Sequence, residues 1–352
     1  SIILAICLPF LILAFLRISS LSNGDIGHDD YYHVTMADLG PKVIMAKQFP
    51  FMTMSIWENT FANKELLFHF SLWGMRKIQR YFGDSGFPPF HLPVFVFILC
   101  MLSSFVWVTH LLGGRNIIIF SVLLAIISPL FTFRILMLRP HIFAITLMLI
   151  ATGIFLKVKT TRQLWRVMLF GMIFAWSYSN PHFILLPALA ATGVQLSKRN
   201  YRVAFYLPIV AIAGIILGYT IHPQFPNTFI IWKLQCIDVI HQIFIKESPL
   251  ILGGELYAPH MREWLESIGV VLLIFINCVT ILWLVILRSS KPNSDTLAVM
   301  TMSLITFLGL FFSVRVIDYL CPITVLASAL LYSDLRKTIS IRSLKLLTYV
   351  GI

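Results

Sequence analysis

Residues 27–33, Gly27-His28-Asp29-Asp30-Tyr31-Tyr32-His33, set two adjacent carboxylates between two imidazoles. Burying carboxylates is costly unless something pairs with them, and only 12% of this chain is charged while 58% is hydrophobic. At a helix N-terminus, Asp29 and Asp30 are stabilised as anions by the dipole and the free N–H groups, which is all that capping requires. With His28 and His33 beside them they can also take a proton from a polar acceptor or hold a divalent cation such as Mg or Mn through Asp29 and His28. Asp29, Asp30 and His33 are therefore the candidate catalytic residues.

A second group could hold an anion. Arg139-Pro140-His141 puts two polar side chains at a proline-started helix mouth, suited to a lipid phosphate. Asn180-Pro181-His182 and His222-Pro223 repeat the pattern, and rigid helix mouths would gather His141, His182 and His222 around one cavity. Arg134, five residues before Arg139, reads as a residue that snorkels to headgroups. In Ser313-Val314-Arg315-Val316-Ile317-Asp318, Arg315 and Asp318 are spaced to pair on a helix, or else Arg315 neutralises a phosphate that Asp318 orients. An ionisable residue at membrane depth marks a candidate site by default. His69, His91, His110, His241 and His260 read as structural.

The elements that must position these residues are membrane helices. The mean hydropathy is +0.87, and apolar runs fall at 2–16, 93–112, 116–133, 141–156, 167–180, 183–196, 203–221, 268–287, 297–314 and 319–333, with an eleventh from 344. The first run lacks a basic leader and a small-residue cleavage site, so it reads as an anchor. Alternating spans give each loop a side. Loops containing Arg115, Lys157–Arg166, Lys198–Arg202, Arg288 and Lys291, and Arg336–Lys345 hold fourteen bases against Asp295 and Asp334, which is the whole net charge of +12. By the positive-inside rule these loops are cytoplasmic. Nine of ten histidines and the only two long loops, 17–92 and 222–267, fall on the opposite side. The site is thus expected at the extracytoplasmic face of the cell membrane.

In the first long loop, Asp30–Ala46 reads as a helix broken at Gly40-Pro41. Lys64–Tyr81 reads as a second, with Leu66, Leu67, Phe70, Trp73 and Ile78 on an interfacial face; Phe229–Phe244 reads likewise in the other long loop. No internal repeat marks a further domain. The chain reads as one transmembrane domain over 1–352, with a region beyond it left open. Five unpaired cysteines suggest no disulfide or zinc framework. The basic groups are dispersed between spans, which argues against nucleic acid. The chain has no Walker loop, His-Glu-x-x-His, Gly-x-Ser-x-Gly or Gly-x-Gly-x-x-Gly. A substrate arriving through the membrane with its own leaving group fits better than a nucleotide.

Residues 27–33 resemble the first-loop motif of the oligosaccharyltransferase catalytic subunits of archaeal type, within the class C (GT-C) integral-membrane glycosyltransferases, where an Asp is followed by Tyr-Tyr-His and a helix. The layout is similar too: one span, a long outer loop with interfacial helices, then spans joined by short turns. The resemblance implies an all-α polytopic membrane protein, a GT-C-like bundle of about ten or eleven transmembrane helices. It implies inverting transfer of a sugar from a polyprenyl-phosphate or diphosphate donor to a glycan, lipid or protein acceptor. On that match Asp29 takes the family's catalytic, metal-associated position. The chain departs from the family in having no Trp-Trp-Asp-Tyr-Gly motif, which leaves protein Asn as an acceptor unsupported. Three other readings compete: a lipid or lipid-linked-sugar flippase, which should carry ionisable residues mid-membrane; a metal-dependent membrane hydrolase built on His28, Asp29 and His33; and a non-catalytic binder of lipid-linked sugar.

Overall fold

The structure is a computed structural model, and it describes residues 2–20, 28–49, 51–52, 55–82, 90–238, 259–287 and 292–338. The regular structure of the described residues is all helical, with no strand among them. The first ten expected spans are each helical; the segment from 344 lies outside the described residues.

Helix α1 (Ile2–Ser20) leads to a capping layer of α2 (His28–Leu39), α3 (Pro41–Ile44), a short 3-10 turn at Ile56–Glu58, and α4 (Leu66–Tyr81). Gly40, at φ 80°, separates α2 from α3, a backbone angle that a side chain would strain. The break expected at Gly40-Pro41 is therefore present.

The bundle continues with α5 (His91–Leu111), α6 (Ile117–Ile126), α7 (Pro129–Ile135), α8 (Pro140–Leu156), α9 (Leu164–Ser177), α10 (Leu185–Ser197) and α11 (Tyr201–Thr220). After α12 (Asn227–Trp232) and a widened π-type turn to Asp238 come α13 (Met261–Leu287), α14 (Ser294–Leu310) and α15 (Ile317–Thr338). Among the described residues five helices, α1, α5, α11, α13 and the segment Val314–Lys337 that contains most of α15, are each long and apolar enough to span a bilayer. The remaining rods are shorter, so the expected ten or eleven full spans are not reached by length alone.

The run expected to cross as one span at 116–133 does not run straight. It turns by 90° between α6 and α7, where Ser128 leaves the helix in an extended conformation, caps Phe131 N–H at 3.2 Å and donates to Ser267 O at 2.5 Å. Pro129 then starts α7, its missing N–H costing nothing in a first turn.

Helix α15 is the axis of the bundle, packed by α5, α6, α7, α8, α13 and α14, with 83% of its apolar window buried. Helices α1 and α13 form the rim, each with 22% of that window buried. Helices α9 and α11 meet backbone to backbone: a Cβ on Gly171 would stand 2.6 Å from Ala211 O, and one on Gly214 would run into the Met168 carbonyl. Small residues at a contact let apolar helices gain dispersion along their whole length.

On the basic side, Asp295 pairs with Lys157 at 2.8 Å, and Asp334 accepts from Asn293 N–H at 3.0 Å and Thr296 Oγ1 at 2.8 Å. Both acids of that face are thereby committed to structure.

The capping layer is fastened to the turn after α11. The Gln224 side chain donates to Ile44 O at 3.2 Å and to Ala46 O, and accepts from Asn63 N–H at 2.6 Å. Asn227 Nδ2 reaches Lys47 O and Phe61 O, both at 3.0 Å. Backbone groups that would otherwise need water are paired across 180 residues of sequence.

Candidate functional site

A cavity of about 320 Å³ opens between the capping layer and the bundle. Asp29, Tyr32 and His33 line it from α2, and Trp57, Lys64 and Glu65 from the rest of the first loop. Arg134, Arg139 and His141 come from the mouths of α7 and α8, Tyr178 from the end of α9, and Arg315 from the turn before α15. Asp29 is in the first turn of α2, where the helix dipole favours its charge. Arg139 is the extended residue before Pro140, so the proline fixes the arginine at the helix mouth, and its guanidinium meets Asp29 at 2.7 Å. The Asp29 side chain remains 55% exposed, available to a ligand from the cavity.

Several expected residues do other work. Asp30 is buried and does not line the cavity; its carboxylate accepts from Leu138 N–H at 3.2 Å, holding the turn that carries Arg139. Its contribution is to placement of Arg139. From the opposite side the fully buried Arg17 grips the same turn, donating to Leu136 O, to Phe90 O at 3.3 Å and to His91 Nδ1 at 3.1 Å.

Arg134 does not snorkel. It forms a two-armed pair with Asp318 at 2.7 and 2.8 Å, both side chains buried. That commits the Asp318 carboxylate to Arg134 and so argues against its orienting a phosphate directly, because a doubly engaged carboxylate has its charge already matched.

The three His-Pro mouths do not share one cavity. His141 lines the main one, but the His141 Nε2–H is spent on Arg134 O at 2.9 Å. His182 lines a separate apolar cavity of about 340 Å³ with Ile212, Tyr219 and Trp232. His222 sits in a small recess with Gln235 and Trp232. Pro140 starts α8 and Pro181 starts a 3-10 turn that leads into α10, whereas Pro223 lies in the turn before α12 and starts no helix. The side chain of His28 lies outside the described residues.

Sequence reasoning missed Lys64, Glu65 and His69. Asn63-Lys64-Glu65 stands immediately before an apolar amphipathic helix, the signal that Asp29-Asp30 also gave. Burial raises the Glu65 pKa, and lowers that of His69 to about 3. His69, taken as structural, bonds His33 at 2.8 Å, and burial with the neighbouring imidazole lowers the His33 pKa well below the usual histidine range. Tyr32 beside them is pushed up, first by burial and then by Glu65 and Asp29.

A divalent metal on Asp29 and His28 was the expected cofactor. Among the described residues no group of three or more His, Cys, Asp or Glu stands close enough to hold one, and Asp29 is met by Arg139. The described donors do not make up such a site.

No family model and no curated protein matches the chain. Among solved structures it is similar to the Archaeoglobus fulgidus oligosaccharyltransferase in its apo form. The TM-score is 0.60 at 12% identity, with 98% of this chain aligned to 52% of that one. The two share a fold. This chain spans about half the length of that enzyme, and at 12% identity the likeness carries the architecture alone, an all-α polytopic membrane protein.

Proposed function

We propose that this protein is a GT-C type membrane glycosyltransferase, transferring a sugar from a polyprenyl-phosphate-linked donor to an acceptor at the extracytoplasmic face with inversion. The observation that carries the reading is one exposed carboxylate, Asp29, in a cavity that four cations, Lys64, Arg134, Arg139 and Arg315, also line. Arg134 is held in two arms by the buried Asp318, so the phosphate leaving group is assigned to Arg139, which also meets Asp29, together with Lys64 and Arg315. The fold likeness to an oligosaccharyltransferase supports the same class, and the basic loops on the opposite face support the orientation.

In this mechanism the donor phosphate lies against Arg139 and Arg315, charge-assisted contacts that strengthen as the anomeric C–O bond breaks and negative charge grows on the phosphate oxygen. Asp29 faces the anomeric carbon, takes the proton of the attacking acceptor group and stabilises positive charge developing on the sugar. Asp30 and Arg17 keep Arg139 in place.

The test is transfer from polyprenyl-linked sugars by purified protein in lipid, with Asp29→Asn and with a chelator as separate arms. Wild type is expected to release polyprenyl phosphate and Asp29→Asn, folded, to lose on the order of 10²-fold or more. Equal activity in Asp29→Asn sinks the assignment. Binding of lipid-linked sugar with no turnover would leave a non-catalytic binder in its place.

A further inference from the structure

An imidazole at the edge of a cavity can donate from one nitrogen or accept at the other, and the choice follows from what holds the rest of the ring. Around His33 a chain of hydrogen bonds makes that choice. The Asn63 amide is oriented by its own partners: Nδ2 donates to Ile44 O and Oδ1 accepts from Glu65 N–H, both at 3.3 Å. Oδ1 is therefore also the acceptor for His69 Nδ1 at 2.8 Å, and His69 carries its hydrogen there. His69 is fully buried and neutral, so its Nε2 is a lone pair. His33 Nδ1, 2.8 Å away, must be the donor. A neutral His33 then has no hydrogen on Nε2. That atom has no hydrogen-bond partner among the described residues, is not sealed from the cavity, and belongs to a residue that lines it.

We infer that His33 Nε2 accepts a hydrogen bond from a hydroxyl of the transferred sugar next to its anomeric carbon, and that His69 and Asn63 are positioning residues that prevent His33 from donating instead. The inference rests on the glycosyl-transfer reading above. The rest of the cavity is rich in donors: Lys64, Arg134, Arg139 and Arg315 have no lone pairs to offer. Glu65, whose pKa burial raises, stands 3.9 Å from Lys64. Tyr32, Tyr178 and Ser179 bring hydroxyls that can donate or accept, and beside the Glu65 carboxyl Asp29 and His33 Nε2 are acceptors that carry no hydrogen of their own, for which phosphate oxygens have no use. Asp29 and His33 are four residues apart on α2, so they share a face about 5–6 Å apart at Cβ. With Asp29 at the anomeric carbon, His33 reaches the hydroxyl beside it. Hydrogen bonds at that hydroxyl strengthen as the sugar ring gains positive charge, so this contact acts on rate as well as on binding.

The test has two arms. Protein labelled with 15N-histidine, with His33 assigned by the signal lost in His33→Gln, is expected to show His33 hydrogen-bearing at Nδ1 and bare at Nε2 near neutral pH. A hydrogen on Nε2 overturns the inference whatever the transfer assay gives. In the second arm a donor that the protein turns over is compared with its 2-deoxy analogue. Wild type is expected to prefer the parent by about 10²-fold in kcat/KM, and His69→Phe to shrink that ratio by about 10-fold. A purely structural His69 would slow both donors alike, and an unchanged ratio rejects the positioning role. If His69→Phe does not fold, the wild-type spectrum decides. If no lipid-linked sugar is consumed, the glycosyl-transfer reading itself falls and takes the hydroxyl partner with it, while the spectrum still reports on the His33–His69 bond.

Discussion

The carboxylates of this protein divide by what faces them. Asp318 has its whole charge answered by Arg134, both buried. Removing one partner of such a pair leaves an uncompensated buried charge. Asp318→Ala is expected to destabilise the protein by about 3 kcal/mol, and the double variant Arg134→Met with Asp318→Leu to recover most of that. Thermal unfolding in detergent distinguishes the two. The buried imidazoles give a pH dependence of definite sign. Burial, and for His33 the nearby His69, Arg139, Lys64 and His141, lowers both histidines below the unfolded value of about 6.5. Above that pH the native state loses nothing to them. As pH falls below it the unfolded chain takes up protons that the folded pair refuses, and stability drops by up to about 1.4 kcal/mol per pH unit for each histidine. Glu65 acts in the opposite sense, since its raised pKa favours the folded state at low pH. The difference between wild type and His69→Phe isolates the histidine contribution: the variant's melting temperature should fall less between about pH 7 and about pH 5.

At the scale of elements, the contact of α9 with α11 has no room for growth. Gly214→Val would press into the Met168 carbonyl and is expected to cost about 2–3 kcal/mol, whereas Gly193→Ala, with no atom within 4 Å of the added carbon, should stay within about 0.5 kcal/mol. Melting temperatures of the two variants in the same detergent check the contrast. Helix identities were legible because apolar runs of membrane length have no other use, and the Gly40-Pro41 break was legible from its backbone chemistry. The bend after Ile126 was not. Ser128-Pro129 is a helix start in any context, yet an apolar run continues across it, and hydropathy does not record direction. Sequence also placed Asp29, His33, Arg139, His141 and Arg315 at the cavity by assigning them to one face. It misassigned Asp318 and Arg134 because a pair 184 residues apart in sequence leaves no local trace, and it grouped His182 and His222 with the site because a shared face was taken for a shared cavity.

Among the described residues, the basic loops at 157–166 and 198–202 join helix ends opposite those that line the cavity, as the expected topology requires. Cysteines introduced at the exposed Tyr81 and Lys198 should therefore react with a membrane-impermeant maleimide from opposite sides of intact cells, Tyr81→Cys from outside. Labelling of both from one side would reverse or break the topology. Helix α1 adds a second whole-molecule property. Most of its length is presented outward, yet its last turn carries Arg17, which grips Leu136 two residues before the backbone N–H that Asp30 holds. A helix that tilts to match its bilayer thus terminates on the hinge pin of the Arg139 turn. The rate in vesicles is therefore expected to vary with acyl-chain length in wild type and to lose that dependence in Arg17→Leu.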